Sequence, residues 1–112
     1  MSPRDMKALQ RQRIAELTAA LAASGIRSLD QQARALGIPR STAWTIQRAE
    51  HKGSGLTAGI VNRMLGADLP PAARAILLHY IGEKAAGAYG QKPAQCRRFR
   101  AKLSQPNPTN GE

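Results

Sequence analysis

The sequence predicts an all-α domain of about five helices, and three observations carry the prediction. Apolar residues recur at spacings of three to five along most of the chain, no run alternates apolar and polar residues as a half-buried strand would, and glycine or proline punctuates each periodic segment. No internal repeat of 20 to 50 residues is visible. A chain of 112 residues with 42% apolar content has material for one domain with one modest core. That domain is assigned to 1–90, followed by a basic tail over 91–112.

The first helix is expected over 4–24, where Met6, Leu9, Ile14, Leu17 and Leu21 share a face and Arg4, Lys7, Arg11, Arg13 and Glu16 lie mostly elsewhere. Ser24-Gly25 marks its end. Ser28 starts the next helix as N-cap, and Gln31 completes a capping box. The second helix runs to Leu36 and the third from Arg40 to about Glu50. Gly37 between them supplies the change of direction, and Pro39 sits where a missing N–H is tolerated.

His51-Lys52-Gly53-Ser54-Gly55 has lost all periodicity and reads as a flexible basic loop. Leu56, Ile60, Val61, Met64 and Leu65 form the stripe of a fourth helix, capped by Thr57 or Ser54 and ended near Gly66 and Pro70. A fifth follows over 71–86 on Ile76, Leu77, Tyr80 and Ile81, weakened in its last turn by Gly82. Beyond Gly90 the composition turns basic, with Lys92, Arg97, Arg98, Arg100 and Lys102. The last eight or so residues, rich in Pro and Asn, are expected to be disordered.

Seventeen Lys and Arg against seven Asp and Glu give a net charge of +10, which points to a polyanionic partner. Phe99, Trp44, Tyr80 and Tyr89 are too few aromatic residues for a base-stacking sheet, so double-stranded DNA fits better than single strands. The lone Cys96 excludes an internal disulfide and a multi-cysteine zinc site, and agrees with a reducing compartment. No apolar run approaches the ~20 residues of a membrane span and no signal-peptide layout opens the chain. The expected location is the cytoplasm, in association with the nucleoid.

Residues 29 to 48 resemble the twenty-residue helix-turn-helix of bacterial and phage repressors. Ala33 falls at the small-residue position where the two helices cross, Gly37 in the turn, and Leu36, Ile38, Ala43 and Ile46 on the inward apolar positions. The run from Gly37 to Ala43 is also similar to the turn of the isocitrate-lyase-regulator class, and a motif followed by a packed helix is shared with Lac-repressor-type headpieces. No winged hairpin and no effector domain follows, so no small-molecule effector is expected.

The resemblance implies a transcriptional regulator whose groove-facing positions fall on Arg40, Ser41, Trp44, Thr45 and Arg48. Periodicity reaches the same face independently, since turning Ala43, Ile46 and Ala49 inward leaves these five outward. Arg40 could pair bidentately with guanine. Ser41, Thr42 and Thr45 are short enough for a helix to sit deep in a groove, and Lys52 would suit a phosphate. Trp44 could touch a thymine methyl, but a lone tryptophan is more often an anchor in a core or interface, and that reading is preferred here.

Lys92, Arg97, Arg98, Arg100 and Lys102 are expected to follow phosphates. A homodimer is expected through the fourth or fifth helix, where Met64, Leu65, Leu77, Leu78 and Tyr80 offer apolar area, because two recognition helices about 34 Å apart read successive major grooves. His51 and His79 lack partners at ligand spacing, the carboxylates are scattered, and Cys96 has no base to activate it. Neither an enzyme, a cofactor nor a metal is expected. Two other readings are open: an accessory factor for recombination, replication or conjugation, and a basic protein-interaction module such as an antiactivator or inhibitor.

Overall fold

Each helix begins and ends where local chemistry dictates. The structure, a computed structural model, describes residues 2–48 and 55–104, and these form six α-helices: α1 (Pro3–Ala23), α2 (Leu29–Leu36), α3 (Arg40–Gln47), α4 (Ala58–Leu65), α5 (Pro71–Ala85) and α6 (Pro93–Ser104). The Ser2 hydroxyl accepts from Asp5 N at 3.2 Å to start α1. The helix closes as Ile26 N donates to Leu21 O and Gly25 N to Ala22 O, a Schellman pattern.

The capping box at Ser28 and Gln31 is formed in both directions. Gly37 ends α2 with φ of +70°, and a Cβ there would stand 3.3 Å from Arg63 O of α4. This glycine therefore supplies both a left-handed turn and a close backbone approach. The Thr57 hydroxyl caps α4 by accepting from Ile60 N. Pro71 opens α5, where its missing N–H costs nothing.

Buried positions follow the helical period. In α1 these are Gln10, Ile14, Leu17 and Leu21; in α4, Ala58, Val61 and Met64; in α5, Ala73, Leu77, Tyr80 and Lys84. α1 packs on α5 and α3, α2 on α3, and α4 and α5 on α6. One continuous apolar core runs through all these contacts.

Two sequence expectations change. The first is the tail, since residues 93–104 form a helix whose Cys96 and Phe99 are buried and whose Leu103 packs against the core. Three apolar residues at helical spacing are a sparse signal among four cations, and the buried faces of α4 and α5 make that seam worth covering. The second is the apolar face of α4 and α5: Met64, Leu77 and Tyr80 are spent in the core and Leu65 is half-buried, leaving Leu78 as the exposed member at 53%.

The structure also buries polar residues on which the sequence raised no expectation. Gln10, Gln32 and Lys84 are buried on the apolar stripes of their helices. Tyr80 Oη donates to Gln10 Oε1 and accepts from Leu56 N, each at 2.9 Å, while Lys84 Nζ donates to Leu56 O. Both backbone groups of Leu56 are thereby satisfied by side chains one turn apart on α5. Gly55 threads beside them with φ of +70°, and a Cβ there would lie 2.0 Å from Gln10 Oε1. Glu83 ties α5 to α1 through a two-pronged pair with Arg13, Nε to Oε1 at 2.7 Å and Nη2 to Oε2 at 3.2 Å.

Among the described residues, no helix is long and apolar enough to cross a membrane. The loop expected over 51–54, the end of α3 expected at Glu50, and the disorder expected in the last eight residues lie outside the described residues.

Candidate functional site

The outward face of α3 is fixed by what its inward face must do. Ala43 and Ile46 are 1% exposed, held by α1 and α2, so the helix cannot rotate without pulling them from the core. Its end is pinned by a chain of amides: Gln47 Nε2 donates to Gln32 Oε1 at 2.9 Å, and Gln32 Nε2 donates to Ile26 O at 3.0 Å. Arg40, Ser41, Trp44 and Arg48 are exposed on the resulting surface, with Thr42 and Thr45 half-buried at its edges.

Trp44 does not enter the core. Its side chain is 45% exposed, and the Arg48 guanidinium lies 4.7 Å from the ring centroid. A cation over the indole face is attracted by its quadrupole, which stiffens two otherwise mobile side chains. Leu29, Arg40, Ser41, Trp44 and Thr45 line a shallow depression between α2 and α3.

Arg40 is engaged at this surface, with Nε donating to Asp30 Oδ1 at 2.7 Å and both side chains about 70% exposed. Such a pair exchanges cheaply with water or with another anion. The Thr45 hydroxyl is turned inward and donates to Thr42 O at 2.8 Å. Of the expected contact residues, Arg40, Ser41, Trp44 and Arg48 share the surface, Thr42 and Thr45 border it, and Lys52 lies outside the described residues.

The basic residues expected in a tail instead sit on or beside a folded helix. Lys92 precedes α6, and the buried seam of Cys96, Phe99 and Leu103 separates two flanks. Arg98 and Lys102 lie toward the start of α4, while Arg97 and Arg100 lie toward the end of α5, where Arg100 Nη1 donates to Ala85 O at 2.7 Å. Burial lowers the Lys84 amine to about 8, since the charged form is the one that loses water.

His79 is exposed, with Nε2 3.7 Å from Glu83 Oε2. Among the described residues, no group of three His, Cys, Asp or Glu could hold a metal ion. The Cys96 thiol is buried and faces the carbonyls of Lys84 and Gln91, both at 3.8 Å.

Sequence reasoning missed Gln32 and Lys84, which brace the two basic surfaces from beneath. Their signal was positional: each stands on a stripe otherwise filled by apolar residues, Leu29-Gln32-Ala33-Leu36 and Leu77-Tyr80-Lys84. Family models, curated proteins and solved structures were all compared with this chain, and none matches.

Proposed function

We propose that this chain binds double-stranded DNA as a transcriptional regulator, with residues 29 to 48 acting as a helix-turn-helix and α3 as its recognition helix in the major groove. One observation carries the reading: the face of α3 turned away from the core presents Arg40, Ser41, Trp44 and Arg48 together, on a chain of net charge +10. Arg40 offers two parallel donors to guanine, worth about 1–3 kcal/mol of discrimination. Ser41 can meet a phosphate or a base edge, and the Trp44 ring a thymine methyl or a sugar. Basic residues on α6 add affinity that is independent of sequence.

Two copies on one DNA face would read half-sites about 34 Å apart. Leu78 is the exposed large apolar side chain on α5 through which such a pair could meet.

Selection of bound sequences from a random duplex pool, run with the full chain and with Arg40→Ala, tests the assignment. A defined half-site for the parent and a relaxed one for the variant are expected. Recovery of the same half-site at full preference by Arg40→Ala would remove α3 from the reading role.

A second reading rests on Trp44. An exposed tryptophan beside an arginine and Leu29 has the make-up of a protein-interaction hot spot. An acidic protein partner then takes the place of DNA, and gel shifts would show only weak binding without a preferred sequence.

A further inference from the structure

A second basic surface lies away from α3, where α6 crosses the start of α4. Ala58, Lys84, Gln91, Gln95, Arg98 and Lys102 line a cleft there, with Phe99 behind them. Among the described residues, no carboxylate contributes to this lining. Arg98 and Lys102 are exposed and make no ion pair among the described residues, so their charge is available to a ligand. Lys84, 95% buried, adds a third cation at the base.

Two backbone features sharpen the choice of ligand. Ala58 opens α4; Ile60 N is taken by the Thr57 hydroxyl, and the N–H groups of Ala58 and Gly59 have no intrahelical acceptor, which favours an anion. The Gln91 amide oxygen, on a residue that borders both this cleft and the one on the opposite flank of α6, is buried without a hydrogen-bond partner. Turned end over end, that amide would present an N–H instead, and in its present sense it would accept from a ligand hydroxyl.

The cleft on the opposite flank of α6 makes a useful contrast. It holds Arg97 and Arg100, yet it is walled by Ala85, Ala86 and Gly87, the C-terminal end of α5, whose carbonyls repel an anion. Arg100 is already spent on Ala85 O. Helix polarity therefore selects the α4 side.

We propose that the cleft between α4 and α6 binds a phosphate group, held by Arg98, Lys102 and the first-turn amides of α4 over the buried Lys84. Its volume of about 200 Å³ is below the roughly 300 Å³ at which pockets for drug-sized ligands begin, which suits an anionic group better than a whole cofactor. The phosphate can be that of a free ester or of a nucleic-acid backbone, because the recognising chemistry is the same. The site stands on its own residues and does not depend on the role given to α3.

The test is a 1H–15N NMR titration of the full chain with inorganic phosphate, then with a nucleoside monophosphate and with a short DNA duplex. Saturable shifts are expected at Ala58, Gly59, Gln91, Arg98 and Lys102, weakened about tenfold in Arg98→Gln/Lys102→Gln and, for inorganic phosphate, unchanged in Arg97→Gln. If the duplex moves the same amides and free phosphate competes with it, the bound group is the nucleic-acid backbone. If only the small phosphates move them, the ligand is a free ester. Shifts that do not saturate, or that persist in the double variant, overturn the proposal. So does an equal response to inorganic phosphate at Arg97 and Arg100.

Discussion

The Arg40 guanidinium of α3 is tethered to the Asp30 carboxylate in the first turn of α2, Nε to Oδ1 at 2.7 Å. The arginine proposed to read a base is thus held by an internal anion at the rim of its own surface. If α3 reads bases as proposed, guanine repays the loss of that carboxylate with two hydrogen bonds, and a site without guanine offers less in exchange.

Asp30→Asn should therefore raise affinity for arbitrary duplex DNA roughly fivefold at low salt and narrow the gap between specific and non-specific sites. Stability should change little, since the pair is exposed. Fluorescence anisotropy with a selected and a scrambled duplex measures both. Equal loss of affinity for the two duplexes would show that Asp30 does not restrain Arg40.

Gly55→Ala should destabilise the fold by about 2–4 kcal/mol, because a Cβ would collide with Gln10 Oε1 and Tyr80 Oη at a backbone conformation that alanine avoids. Tyr80→Phe should cost about 1–3 kcal/mol by leaving Leu56 N and Gln10 Oε1 without their shared partner. Urea denaturation reads both losses as a lower midpoint.

Glu83 governs the acid limb. The Arg13 guanidinium, aided by the Tyr89 hydroxyl, holds its carboxyl below the ordinary carboxylate value. A depressed carboxylate contributes stability that is present above the unfolded value and lost as pH falls through the folded one. Glu83→Gln should flatten this decline, and at neutral pH it should cost about 1–3 kcal/mol. Thermal melts from pH 7 to pH 3 provide the comparison.

Lys84 acts in the alkaline direction. With its amine lowered to about 8 by burial, the folded chain sheds this proton before the unfolded chain does. The unfolded state binds more protons between that value and the ordinary 10.5, so stability should rise with pH there, by at most about 1.4 kcal/mol per unit. Lys84→Met should remove the rise. Burial raises Tyr80 and Tyr89 above their ordinary value of 10.0, which costs stability at higher pH, so measurements belong between pH 8 and 10.

The DNA affinity proposed for α6 is tested by neutralisation, since deleting residues 91–112 would uncover the core beneath Cys96 and Phe99. If about six phosphates are contacted, log K should fall against log salt with a slope near −5. Arg98→Gln/Lys102→Gln should flatten that slope by about 2 while sparing sequence preference. An unchanged slope would take this flank out of the interface.

Much of the framework was legible because it is local. The capping box at Ser28, the turn at Gly37, the Thr57 cap and the stripes of α1, α4 and α5 depend on residues within a few positions of one another. The outward positions of α3 followed from the same period. What escaped was long-range: Gln10 meets Tyr80 seventy residues away, and no local pattern announces that pairing. α6 escaped because its three apolar residues find their purpose only against two other helices. Trp44 stood between two signals: side-chain type argued for an anchor in a core or interface, the period placed it outward, and its position opposite Ala43 and Ile46 keeps it exposed.

Gly37 seats the turn between α2 and α3 directly on the main chain of α4, at the Arg63 carbonyl. The attitude of α3 is thus registered by backbone against backbone; the exposed side chains of Ser41 and Trp44 take no share in holding it, and Arg40 adds only its solvent-exposed pair with Asp30. Those positions form a replaceable lettering on a fixed plate. Chains that keep Gly37, Ala43 and Ile46 while varying that lettering would inherit the fold and diverge in what they bind.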